Sequence, residues 1–244
     1  MQAKTLTENR LSEVDVVILC GGMGSRLRVV VDDRPKPMAQ INQKPFLDIL
    51  IDFFSGFGFK RFVLCTGYMS RVIHDYYAPK TGSCQFLISN ERAPLGTAGT
   101  VKNAEKLIQS DPFLVANGDS FCSVDLAEFY NFHSARQGLM SMVVLESDNT
   151  EDCGQVVLDD SQRIISFEEK KQKPRSCHVN AGIYLFQKEV VSFIPEDTKF
   201  SLEHELFPEL TKQSCYAFVS HGQLIDIGTP ERYEWAKRCF SDDE

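Results

Sequence analysis

Residues 14–20, VDVVILC, form a short apolar run rich in β-branched side chains. That pattern predicts a strand buried on both faces of a sheet. The period then changes. PFLDILIDFFSG, at 45–56, carries apolar residues at helical spacing and ends on glycine, which predicts a helix and its stop. Further strands are predicted over 61–66, 84–89, 112–116 and 139–145. Helices are predicted over 68–77, with Val72, Ile73, Tyr76 and Tyr77 on one side, and over 96–108. Asp125 can cap another helix, with Glu128 at the capping-box position. Strand and helix in alternation predict a doubly wound α/β fold with a mainly parallel sheet.

After Thr150 the rhythm changes. GQVVLDDSQRIISFEEK predicts two strands about a polar turn at 159–162. VNAGIYLF reads as a strand, SLEHELFPELTKQ as a helix, and 215–220 and 223–227 as short strands. Thr229, Pro230 and Glu231 supply a cap, a first-turn proline and a first-turn acid for a final helix carrying Trp235. No repeat, low-complexity tract or long linker divides the chain. One domain over 14–244 is expected, with the second half packed on the sheet as a substrate lobe.

Composition narrows the function. The 244 residues are 43% hydrophobic and 25% charged, as in globular proteins. The net charge of -8 argues against a nucleic-acid partner, so positive charge for an anionic ligand must be local. The eight cysteines are scattered and form no C-x-x-C pair, which favours reduced thiols in a cytoplasmic protein over disulfides or zinc. The five histidines have no metal-ligand spacing. The polar leader at 1–13 lacks the apolar segment of a signal peptide. No apolar stretch approaches the ~20 residues of a membrane span, so no membrane partner is expected.

Candidate chemistry sits after the first strand, where LCGGMGSRL opens a glycine loop at the carboxyl edge of the predicted sheet. Taken alone, GGMGSR suits a phosphate-binding loop or a simple tight turn, and no G-K-[ST] follows to make it a P-loop. Arg26 and Lys36 raise the phosphate reading. A guanidinium forks onto phosphate oxygens, and Lys36 is held between Pro35 and Pro37. Arg28 and Arg34 lie in the same stretch, so the four cations are expected to cluster.

LCGGMGSRL and RPKPM, followed in order by PLGTAGT, NGDS, FEEK, NAGIY and IDIGTPERY, resemble the sugar-phosphate nucleotidyltransferases across nearly the whole chain. CGG and DIGTPERY are most similar to the D-glycero-D-manno-heptose 1-phosphate guanylyltransferases of that family, and next to the mannose-1-phosphate enzymes. The resemblance implies a Rossmann-like sheet with a nucleotide-binding half at 14–150 and a smaller, β-rich sugar-phosphate-binding half at 151–244. It implies GTP and a sugar 1-phosphate as partners, and it is compatible with an oligomer of identical chains.

The resemblance also distributes roles. Leu19, Gly21, Gly22 and Gly24 would line the triphosphate, Arg26 would hold the leaving phosphates, and Lys36 would stand at the α-phosphate. Glu91, Leu95, Gly96 and Thr97 would meet the nucleoside, Glu91 accepting from the N1–H and amino group of guanine. Asp119 and Asp226 match the metal-binding aspartates. A carboxylate beside triphosphate needs a cation between them, which favours Mg²⁺. An Asx turn at Asp119 and a helix cap at Asp226 are the structural alternatives. Gly154, Glu169, Lys170, Asn180 and Gly182 would hold the sugar phosphate, although EEKKQK alone reads as a solvated charged run.

Two departures touch substrate-facing loops. VVVDDR replaces the family's usual threonine and proline, and Lys171 stands where relatives carry proline. A nicotinamide oxidoreductase would end its second strand on an acid, whereas this strand ends LCTGY. A catalytically dead sugar-nucleotide sensor would have lost Arg26, Lys36, Asp119 or Asp226, and all four are present. An enzyme using UTP, CTP or dTTP remains open from the sequence.

Overall fold

The computed structural model describes residues 10–147, 154–169 and 178–241, without the side chains of 168 and 169. The strands are β1 (Asp15–Leu19), β2 (Gln40–Ile41), β3 (Lys44–Pro45), β4 (Arg61–Thr66), β5 (Gln85–Asn90), β6 (Phe113–Asn117), β7 (Ser120–Cys122), β8 (Met140–Glu146), β9 (Gly154–Leu158), β10 (Ile164–Glu169), β11 (His178–Phe186), β12 (Cys215–Ser220) and β13 (Leu224–Asp226). The helices are α1 (Phe46–Gly56), α2 (Ser70–Tyr77), α3 (Gly96–Asn103), α4 (Leu126–Arg136), α5 (Phe207–Leu210) and α6 (Pro230–Cys239). Among them, no helix is long and apolar enough to cross a membrane.

The centre of the sheet is built from buried strands. Along β1, Val16 and Ile18 face one core and Val17 faces the other. β4 repeats this, with Phe62 and Leu64 on the first side and Val63 and Cys65 on the second. Both faces are therefore covered, which accounts for the unbroken apolar runs. A fully buried side chain such as Phe62 contributes about 1.5–3 kcal/mol. Helix α1 buries Phe46, Leu47, Leu50, Ile51 and Phe54, the stripe that its spacing predicts.

The path β6-β1-β4-β5 is parallel throughout. β11 then joins β6 antiparallel and also pairs with β8 and β9, so the nine-stranded sheet is mixed. The later strands extend the first half's sheet. A separate antiparallel ribbon, β7 with β13, crosses from one half to the other.

Two helices differ from expectation. The helix predicted over 96–108 stops at Asn103 and continues as a 3-10 turn, Glu105–Leu107. There the Ala104 N–H is shared between the carbonyls of Thr100 and Val101, which tightens the chain out of α geometry. The helix predicted from SLEHELFPELTKQ is a π-helical turn, Leu202–Leu206, followed by the short α5. Ser201 caps it by accepting from the N–H groups of Glu203 and His204, while Leu206 N donates to the Ser201 carbonyl. Pro208 supplies no N–H to continue the pattern.

Candidate active site

The carboxyl ends of β1, β4 and β6 open into a cleft of about 710 Å³. Leu19, Gly21, Gly22, Gly24, Arg26, Lys36, Glu91, Gly96, Thr97 and Asp119 all line it. A second cavity of about 190 Å³ adjoins it, lined by Gly154, Asn180, Gly182 and Asp226. Arg26, Lys36, Asn117, Asp119, Glu203 and Gly228 line both, so they form the boundary between the two spaces.

The glycine loop fixes Lys36 from below. Gly24 has φ +57°, and a Cβ there would stand 3.0 Å from Lys36 Cβ. Only glycine both adopts that backbone easily and lets the lysine stem pack so closely. Lys36 Nζ then reaches 2.6 Å from Asp119 Oδ2. Partial enclosure in the cleft opposes the Asp119 charge, but the charge and hydrogen bond of Lys36, aided by the Ser120 hydroxyl, outweigh it and hold the carboxyl below its usual range. Arg26 converges on the same place. A Cβ on Gly228 would lie 2.7 Å from Asp226 Oδ1, 3.5 Å from Lys36 Nζ and 3.7 Å from Arg26 Nη2.

The antiparallel ribbon brings the two aspartates together. Asp226 pairs in register with Ser120, next to Asp119, and Ile227 N donates to the Asp119 carbonyl at 3.1 Å. Asp226 Oδ1 accepts from Gly228 N at 2.7 Å, and its Oδ2 accepts from Arg232 Nη1 at 2.9 Å. Two carboxylates on adjacent segments suit Mg²⁺, which keeps waters and takes one or two protein carboxylates beside substrate phosphate. No cluster of three or more acidic, histidine or cysteine ligands occurs among the described residues.

The second cavity owes its shape to a bulge. The β11–β8 register shifts between Asn180 and Tyr184, and Gly182 sits there at φ +76°. A Cβ on Gly182 would come 2.8 Å from Asn117 Nδ2, so glycine permits the close approach of β11 to the end of β6. Asn180 holds the bulge, accepting from Gly182 N at 2.9 Å and donating to Tyr184 Oη at 2.7 Å. Gly154 faces Glu169 in the β9–β10 register. The Glu169 side chain and all of Lys170 and Lys171 lie outside the described residues.

Several expected groups have other duties. Arg28 and Arg34 do not join the cationic cluster. Arg28 stacks over the Tyr68 ring at 5.2 Å, and Arg34 pairs with its neighbour Asp33. Leu95 lines neither cavity; its N–H donates to Glu91 Oε2 at 3.2 Å. The same oxygen takes the Thr100 hydroxyl at 2.8 Å, leaving Oε1 against Gly21 and Gly67. Thr97 gives its hydroxyl to Glu203 at 2.7 Å. Glu203, Arg232 and Asn117 escaped the sequence reading. Asn117 and Arg232 stand inside recognisable motifs, NGDS and TPERY, whereas Glu203 lay hidden in an apparently amphipathic helix.

The sequence pattern of the nucleotidyl transferase family matches residues 15–241. A D-glycero-alpha-D-manno-heptose 1-phosphate guanylyltransferase of Campylobacter jejuni is 33% identical, covering 90% of this chain and 97% of its own. A mannose-1-phosphate guanylyltransferase of Mycobacterium tuberculosis is 31% identical, covering 91% of this chain and 63% of its own. The structure of HddC from Yersinia pseudotuberculosis complexed with GMP-PN superposes with a TM-score of 0.81 at 34% identity, covering 93% of this chain and 99% of that one. A glycine loop under Lys36, paired aspartates on the crossing ribbon and a match spanning both halves of the sheet agree: the chain belongs to the nucleotidyl transferase family.

Proposed function

We propose that this protein transfers GMP from GTP to a sugar 1-phosphate, with D-glycero-α-D-manno-heptose 1-phosphate as the preferred acceptor. The observation that carries the reading is the pair of adjoining cavities whose shared wall holds Arg26, Lys36 and Asp119. Two substrates in two spaces can meet only at that wall. The relatives with matching names, and the GMP-PN bound to HddC, support guanine and the heptose.

In this reading the sugar phosphate oxygen attacks the α-phosphorus of GTP in line. The new P–O bond gives GDP-sugar as the bond to the β-phosphate oxygen breaks, and pyrophosphate leaves with that electron pair. Such transfers rest on alignment and neutralisation of charge. Gly21 and Gly22 let the triphosphate approach the backbone. Arg26 neutralises the departing phosphates. Lys36, anchored by Gly24, meets the charge growing on the α-phosphate. Mg²⁺, when bound, supplies a cation between substrate phosphate and the carboxylates of Asp119 and Asp226. Those carboxylates are engaged with Lys36 and Arg232, so each must exchange or share a cation as substrate enters. GTP and sugar phosphates are cytoplasmic metabolites, the setting this reading requires.

Pyrophosphate release across GTP, ATP, UTP and dTTP, each paired with heptose and mannose 1-phosphates, tests the assignment. GTP with the heptose phosphate should be fastest, and mannose 1-phosphate should be accepted more weakly, because it lacks only the extra hydroxymethyl carbon. UTP or dTTP outperforming GTP with every acceptor would remove the guanylyl reading. The relatives that act on mannose 1-phosphate favour that sugar as the second acceptor.

A further inference from the structure

We propose that Glu203 is a sugar-binding residue that selects the acceptor by taking a hydrogen bond from one of its ring hydroxyls. This rests on the transfer reading above and adds a contact to it.

Glu203 lies on the π-helical turn Leu202–Leu206 and lines both cavities, at their shared wall. Its Oε2 accepts two hydroxyl protons, from Thr97 Oγ1 at 2.7 Å and from Ser201 Oγ at 2.8 Å. Neither donor has a choice. The Thr97 oxygen already accepts from Leu202 N at 2.8 Å, and the Ser201 oxygen accepts from the N–H groups of Glu203 and His204. Each hydroxyl has one proton, and both protons go to the same carboxylate oxygen. The carboxylate is thus fixed in place, and Oε1 has no hydrogen-bond partner among the described residues.

An ionised carboxylate only accepts hydrogen bonds. Phosphate is mostly the dianion at neutral pH and repels it. A hydroxyl-bearing ring is the complementary group, and at this wall the ring is that of the sugar whose phosphate reaches Lys36. π turns inserted in helices recur at functional sites because they re-aim a side chain. Here the turn carries Glu203 to the boundary, braced across the chain by Thr97.

The test compares wild type with Glu203→Ala and Glu203→Gln, using GTP and a series of mannose 1-phosphates each lacking one ring hydroxyl. Glu203→Ala should raise KM for the intact sugar phosphate about 10- to 100-fold, the range for one hydrogen bond to a charged group, with KM for GTP within about twofold. Glu203→Gln should show a smaller rise, because the neutral amide keeps Thr97 and Ser201 occupied. Removal of one particular hydroxyl should cost wild type a similar factor and cost Glu203→Ala nothing further. Equal losses in variant and wild type at every position would overturn the proposal, as would a raised KM for GTP alone. If Glu203→Ala does not fold, the same comparison is read with Glu203→Gln. A wild-type chain that releases no pyrophosphate with any acceptor would bring down the transfer reading, a result distinct from an active enzyme indifferent to Glu203.

Discussion

Two aspartates stand at opposite ends of the parallel strands, each bound to a cation, and they do different work. Asp15 begins β1 and is fully buried. Its carboxylate accepts from Arg61 Nε at 2.7 Å, Ser110 N at 3.0 Å and the Gln109 N–H. Arg61 spends its remaining reach on the Leu107 carbonyl and Gln85. Asp119 follows β6 at the other end, where its side chain is 40% exposed to the cleft and has Lys36 and Ser120 as its partners. The saturated pair ties strand to loop. The open pair keeps its charges available to a ligand. Ligand sites sit at the carboxyl ends of parallel strands, and the closed pair sits at the amino end of β1.

Breaking the closed pair should give the largest effect. Asp15→Ala leaves the Arg61 charge and two backbone N–H groups buried without their acceptor. It should cost about 3–5 kcal/mol of stability, read by urea unfolding, while kcat at low temperature stays within about twofold. A matching loss of kcat in fully folded protein would erase the distinction between the two ends.

Breaking the open pair should invert that outcome. Lys36→Ala and Asp119→Asn should each lower kcat about 10²–10³-fold with little change in unfolding, because their contacts strengthen as charge shifts in the transition state. Combining them should cost much less than the sum, since the two residues act as a unit.

A third contrast is set by pH. His133 is buried against Ser141 and Gln187, and burial pushes its pKa down to about 4 despite the nearby Asp111 carboxylate. The folded state therefore binds this proton less readily than the unfolded chain, whose value is about 6.5. Stability is full above pH 6.5 and falls as pH drops towards 4, by about 3 kcal/mol from this group. His133→Gln should flatten that slope without altering the cleft. An unchanged slope would assign the acid sensitivity to other groups.

The smallest effect concerns base choice. Glu91→Gln should erode the preference for GTP over ATP about 5-fold, a fraction of what a lost charged hydrogen bond costs, because Oε2 already serves Leu95 and Thr100. An unchanged ratio with a lowered melting temperature would make Glu91 a loop brace alone.

The same division explains what was legible in the sequence. β1, β4 and α1 are set by local apolar patterning, and Arg26, Lys36, Asp119 and Asp226 stand in short motifs with fixed spacing, so both could be read residue by residue. The end of α3 at Asn103 could not, because it depends on a shared hydrogen bond and on the Asn103 contact with Ser89 Oγ at 2.8 Å. Glu203 could not, because its neighbours at the wall include Thr97, 106 positions away. The expectation that Arg28 and Arg34 cluster with Arg26 and Lys36 follows from charge, which is visible in a sequence, whereas the ring of Tyr68 and the carboxylate of Asp33 that occupy them are known only in space.

The most direct measurement follows the phosphorus atoms. GTP labelled at the α-phosphorus, incubated with the protein, Mg²⁺ and heptose 1-phosphate, should place its label in the GDP-sugar, and label at the β- or γ-phosphorus should leave as pyrophosphate. Lys36→Ala should slow both transfers equally. Appearance of the γ-label on the sugar, or of inorganic phosphate in place of pyrophosphate, would contradict attack at the α-phosphate and the placement of Lys36 beside it.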